Sequence, residues 1–238
     1  MGCFILTMYK PLQAIFFRDL FDDCLPQIFD EIFTKNIYKP YFEGKKDLIV
    51  MDVGANIGLF TLYAYPYSKK IYAIEPASDH FETLTKFIEF NKLERVTTIK
   101  KAISNQNGQA DFYHAYNTTM HCLNPFVKKF NDEFATAYNR EHKETEIEKV
   151  ETITLDSLFK EQNIEYVDFL KLDVEGEEAK ILGHSSFELV VPKIKMMLVE
   201  SHGWNESNTN ILKASIIDRG FEVKMISESP VLFLATRI

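Results

Sequence analysis

A chain of 238 residues, 46% of them hydrophobic and 26% charged, has the size and composition of one large globular domain with room for a substantial core. Its formal net charge of −8 repels a phosphate backbone and makes nucleic acid an unlikely partner. Cys3, Cys24 and Cys122 are odd in number and form no C-x-x-C pair, so neither a disulfide framework nor a zinc site is indicated and a reducing compartment fits.

Residues 1–45 read as an N-terminal helical extension. Apolar positions recur at helical spacing (Leu12, Ile15, Phe16, Leu20, then Leu25, Ile28, Phe29, Ile32, Phe33), and Pro26 and Pro40 punctuate them. Gly2 is followed by Leu6 where a myristoylation signal needs Ser or Thr. With no signal-peptide profile and no apolar run near the roughly 18 residues of a membrane helix, a cytoplasmic protein without a membrane span is expected. Residues 46–238 read as the main domain, beginning with strand–helix alternation at Leu48. The run 48–53 has no polar alternation, as suits a strand covered on both faces. The pattern predicts a helix over 57–65 stopped by Pro66, a strand over 71–74 and a helix over 78–91. Further strands are expected over 96–103 and, after Gly108, over 109–116.

Residues 117–147 break this rhythm with mixed charge and one helix-like stretch, 126–139. An insertion of that size is usually functional, and it is the candidate lid over an acceptor site. His114, Tyr116 and His121, in or beside it, read as solvated loop positions or acceptor contacts. The alternation resumes with a strand near Val150, a helix capped by Thr154, a strand over 167–172 and a helix over 175–182 closed by Gly183. A strand over 195–200 and a helix over 206–219 closed by Gly220 follow. Runs 221–226 and 231–236, joined by Ser227-Glu228-Ser229-Pro230, must be antiparallel because the turn is so short. The expected fold is an α/β parallel sheet finished by an antiparallel hairpin.

The most informative segment is Asp52-Val53-Gly54-Ala55-Asn56-Ile57-Gly58. A dinucleotide site needs glycine at 56 and 59, where Asn56 and Leu59 stand, and Asp52 would repel the phosphates. S-adenosylmethionine inverts those requirements, because it has no phosphate and carries an ammonium and a sulfonium cation. Gly54 and Gly58 would leave room for its methionine portion. Glu75-Pro76, 21 residues after Gly54, would place a carboxylate on the ribose hydroxyls.

These residues resemble the FkbM-type methyltransferase family from about Leu48 to His202. The shared features are Val-Gly-Ala-Asn-Ile-Gly at 53–58, Glu75-Pro76, Ala102-Ile103-Ser104 and Thr154-Leu155-Asp156. The run from Val167 to Gly176, with its Lys171-x-Asp173-x-Glu175-Gly176 block, and Glu200-Ser201-His202 complete them. The resemblance implies the class I Rossmann-like fold, with a mostly parallel seven-stranded sheet and helices on both faces. It also implies S-adenosyl-L-methionine as cofactor, held by Asp52, Gly54, Asn56, Gly58, Glu75, Pro76 and Ala102, and O-methylation of a sugar, glycan or small metabolite.

A hydroxyl acceptor must lose its proton, so a general base is expected. Asp173, Glu175 and His202 are the catalytic candidates, with Glu200 on the same strand face as His202 and Lys171 placed to pair with Asp173. Glu175, Glu177 and Glu178 read equally as first-turn acids favoured by a helix dipole. Oxygen ligands so close together can hold a metal, but no metal is assigned. An RNA or protein methyltransferase and a non-catalytic ligand-binding domain are the alternatives.

Overall fold

The computed structural model describes residues 25–115, 120–137, 144–202, 206–228 and 231–238. The predicted helical turns around Leu12 and Leu20, and Tyr116, lie outside them. Helix α1 (Leu25–Phe29) runs into a wider π-type turn at Asp30–Thr34, and α2 (Lys39–Phe42) carries Pro40 in its first turn. Next come β1 (Leu48–Val53), α3 (Leu59–Ala64), β2 (Ser68–Ile74), α4 (Ser78–Phe90) and β3 (Val96–Ile99). Short β4 (Ala102–Ile103), β5 (Gly108–Tyr113), α5 (Val127–Ala137), β6 (Ile147–Ile153) and α6 (Leu155–Glu161) follow. The remaining elements are β7 (Phe169–Leu172), α7 (Glu178–Gly183), α8 (Ser185–Glu188), β8 (Met196–Glu200), α9 (Glu206–Ile217), β9 (Phe221–Glu228) and β10 (Val231–Arg237).

Seven strands form one sheet in the order β3-β2-β1-β7-β8-β10-β9. The first five are parallel, and β10 runs antiparallel to both β8 and β9. Successive side chains of the central strands go to opposite faces. Met51, Leu170 and Val199 pack beneath α6, α7, α8 and α9 through Leu158, Ile181, Phe187 and Leu212. Val50, Phe169 and Leu198 pack beneath α2 and α3 through Phe42, Phe60 and Leu62. Much of the aromatic content sits on that second face, where Phe42 lies 4.9 Å from Phe169 between ring centroids and Tyr38 lies 4.7 Å from Phe60.

The expected strand over 96–103 is two strands in two sheets. β3 closes the main sheet, whereas β4 pairs with β6 in a separate sheet of order β4-β6-β5. Lys100 and Lys101 mark the crossover. Lys101 reaches Glu161 at 2.8 Å and Glu151 at 3.0 Å, and Lys100 faces Glu148 at 3.8 Å. The ion pairs with β6 and α6 draw the chain away from β2.

The helix expected over 175–182 begins only at Glu178, because Glu175 and Gly176 have left-handed φ values of 52° and 104°. A right-handed helix cannot pass through two such residues. Thr154 is the N-cap residue of α6 as expected, but its hydroxyl donates to Asp156 Oδ1 at 2.6 Å rather than accepting a backbone N–H.

Candidate active site

The loop after β1 is folded around backbone contacts. The Gly54 and Ala55 N–H groups both donate to the Ile74 carbonyl, at 3.1 and 2.9 Å. Gly54 has φ of 79°, and a Cβ there would sit 1.8 Å from the carbonyl oxygen of Asp173. Gly58 has φ of 97°, and its Cβ would sit 2.7 Å from Leu84 Cδ1. Both glycines are therefore required by close packing, Gly54 against the backbone just after β7 and Gly58 against α4.

Asn56, also left-handed at 51°, donates its N–H to Glu75 Oε2 at 2.8 Å, and Ala77 donates to Glu75 Oε1 at 2.9 Å. Burial pushes the Glu75 carboxyl up to about 7, against these two hydrogen bonds that favour its charge. Each carboxylate oxygen keeps a further lone pair for a ligand hydroxyl.

Glu75 opens onto a cavity of about 340 Å³, the size of a cofactor site. Gly54, Asn56, Pro76 and Ala102 line it, with Asp173, Glu175 and Glu200 among its other walls. Asp52 and Gly58 do not reach it. Asp52 is fully buried, accepts from Thr61 Oγ1 at 2.6 Å through Oδ2, and leaves Oδ1 without a hydrogen bond. The Lys171 ammonium stands 3.9 Å from that oxygen and 2.8 Å from Asp173 Oδ2.

Burial raises the Asp52 carboxyl above its ordinary range. Burial opposes the ionised forms of Lys171 and Asp173 as well, but their mutual attraction outweighs it. Lys171 is held above its usual value and Asp173 below. Asp52 thus acts on the cavity through Lys171 rather than by contact. Lys171→Ala is expected to cost about 3–5 kcal/mol in denaturant unfolding, because it strands buried carboxylates. Asp173, with its lowered folded value, is stabilising above the ordinary Asp range and loses this as pH falls. The difference between variant and wild type should therefore shrink in acid.

Asp173, Glu175 and Glu200, which line the cavity, meet around His202, which does not line it. His202 Nδ1 lies 2.9 Å from Glu178 Oε1, and Nε2 lies 3.4 Å from Glu175, 3.5 Å from Glu200 and 3.9 Å from Asp173. Burial alone would lower the imidazole, but the bonds to Glu178 and Glu200 and the charge of Glu175 push it up to about 12. These partners favour the imidazolium form of His202, which has no lone pair with which to take a proton. Burial pushes Glu175 up to about 8, and raises Glu200.

Glu178 is more than a first-turn acid. It is buried, accepts from the N–H groups of Val174 and Gly176 at 3.1 Å, and so holds the 173–177 turn while orienting His202. Its neighbour Glu177 lines the cavity and pairs with Lys180.

Two further parts of the cavity wall were read from the sequence only incompletely. Tyr38 and Ile32, from the segment before β1, form part of its wall; their helical spacing announced a buried face but not what it covers. His121 and His80 form another part and stack at 4.8 Å. His121 is only 9% exposed, not a solvated loop residue. Backbone pairing of Tyr113 with Cys122 folds the chain back onto β5 and buries it. His114 packs 4.5 Å from the His121 ring and meets Glu148 at 3.3 Å.

The sheet order, the glycine turn after β1, the acid after β2 and the carboxylates after β7 are the parts of a methyl-transfer site of the Rossmann-like class. Residues 52–223 match the family described as the methyltransferase FkbM domain. The chain belongs to this family. It is 31% identical over 221 residues to Methyltransferase sdnD of Sordaria araneosa, covering 82% of each chain. It is 29% identical over 144 residues to Methyltransferase 1 of Beauveria bassiana, covering 57% of each. Among solved structures it overlays on a precorrin-6y C5,15-methyltransferase from Geobacter metallireducens with a TM-score of 0.47 at 11% identity, covering 87% of this chain and 88% of that one.

This FkbM methyltransferase uses S-adenosyl-L-methionine, and its donor set fits that molecule. Glu75 lines the cavity with free acceptor capacity, and the acids Asp173, Glu175 and Glu200, suited to cations, line it as well. Among the described residues no helix is long and apolar enough to cross a membrane.

Proposed function

We propose that this FkbM methyltransferase transfers the methyl group to a hydroxyl of a sugar, glycan or small metabolite. The observation that carries this reading is the set of carboxyl groups, Glu175 foremost, that surround His202. When bound, S-adenosylmethionine supplies a methyl group on a sulfonium, open to in-line attack. Glu175, poised near 8 by burial, takes the proton as the acceptor oxygen gains the methyl and the sulfur–carbon bond breaks. Asp173, kept ionised by Lys171, and Glu200 offer negative charge to the cations of the donor. Gly54, Asn56, Glu75, Pro76 and Ala102 form the cofactor wall, with Asp52 and Gly58 holding that wall from behind. The segment before β1 and the insertion between β5 and β6 cover the acceptor side, and differences there select the acceptor.

The acidic cluster also disfavours RNA, whose phosphates it would repel. A labelled-methyl assay over sugars, glycans and hydroxylated metabolites tests the proposal. An ether product is expected; transfer only to amines, to RNA or to protein would overturn it.

A further inference from the structure

Three imidazoles, from His80, His114 and His121, cluster together; His80 lies 4.0 Å from Glu75, and His80 and His121 line the cavity. The ligand atoms of Asp79, His80 and His121 lie within 4.8 Å of one another, a spacing that invites a metal. The hydrogen bonds argue otherwise. His121 Nδ1 accepts the Ala115 N–H at 2.9 Å, so its lone pair is already engaged and the ring proton of the neutral imidazole sits on Nε2. A nitrogen carrying a proton is a donor, not a metal ligand. The other faces of the ring are occupied: His80 stacks on it at an interplanar angle of 13°, and Phe112 meets it edge to face.

We propose that His121 Nε2–H is a fixed hydrogen-bond donor to a ring nitrogen of the cofactor's adenine. His121 lies on the same wall as Glu75, Pro76, Ala102 and His80. A carboxylate that takes ribose hydroxyls places the base next to it, and purine ring nitrogens are acceptors. Burial and the neighbouring His80 and His114 lower His121 to about 2, which leaves Nδ1 free to keep accepting the Ala115 N–H and so fixes the ring with its Nε2–H as the donor. The insertion between β5 and β6, through this residue, thereby serves the donor as well as the acceptor. The inference rests on S-adenosylmethionine occupying this cavity.

Isothermal titration of the full chain with S-adenosylhomocysteine and its 1-deaza, 3-deaza and 7-deaza forms tests it. One deaza compound is expected to bind wild type about tenfold more weakly than the parent, the loss typical of one buried hydrogen bond left unmade. His121→Phe should bind the parent about tenfold more weakly and no longer discriminate against that deaza compound. Equal affinity of wild type for all four compounds overturns this inference while leaving the cofactor reading intact. No binding of any of them by folded wild type overturns both. Discrimination that persists undiminished in folded His121→Phe overturns the inference as well, since another donor would then meet the ring nitrogen.

Discussion

Glu175→Gln is expected to lower kcat 10²- to 10⁴-fold, the range for loss of a general base, with little change in KM for S-adenosylmethionine. The amide keeps the size of the side chain but cannot take a proton. The wild-type pH profile should rise about tenfold per pH unit below 8 and flatten above it, because burial holds Glu175 protonated up to about 8. The variant's profile should be flat over that range. Stability runs the other way. A carboxyl whose folded value lies above its unfolded one binds its proton more tightly in the folded state, so ionising it between about 4.5 and 8 costs stability as pH rises. Glu175→Gln removes that cost and should be at least as stable as wild type at pH 9. A variant that is stable yet retains full turnover would exclude Glu175 as the base.

Gly54→Ala should be the most damaging single methyl addition in the cofactor loop. The new Cβ would lie 1.8 Å from the Asp173 carbonyl, and the residue would keep a φ of 79°. The obstacle is backbone at the end of a central strand, so no side chain can swing aside. A loss on the order of 3–5 kcal/mol is expected, which for a chain of this size lowers Tm by on the order of 10 °C. Calorimetry should find no binding of S-adenosylhomocysteine at temperatures where the variant is still folded. Normal binding and an unchanged Tm would mean that the loop and the end of β7 are not in contact.

The alternating elements from Leu48 onward were legible because each carries its own local signal. β1 is apolar at every position but Asp52, Gly220 lies in the turn that follows α9, and the short link between β9 and β10 dictates their antiparallel pairing. The division of residues 96–103 between two sheets was hidden, because Val96-Thr97-Thr98-Ile99 and Ala102-Ile103 both suit strands and the lysines between them reveal their role only once Glu151 and Glu161 are in place. The late start of α7 was hidden too, since nothing in a glutamate announces a left-handed conformation. At the site, residue types pointed to Glu75 and to the group after β7, which the structure gathers around one cavity. Protonation states were not readable. That His202 is raised and His121 lowered follows from burial and from neighbours, Glu178 and Glu200 for the first and His80 and His114 for the second, whose proximity the chain order conceals.

The middle of the sheet also governs how this protein reaches its native state. β1 lies beside β7, and the backbone N–H of Ile49 is held by Asp168, 119 positions along the chain. Closing a loop of that length costs about 4 kcal/mol in chain entropy before its contacts offer any return. Such non-local pairing makes for slow folding. The glycine turn depends on the same junction through Asp173, so the nucleoside pocket should mature only when the two halves of the chain have docked, and a half-assembled intermediate should have nothing with which to grip the methyl donor.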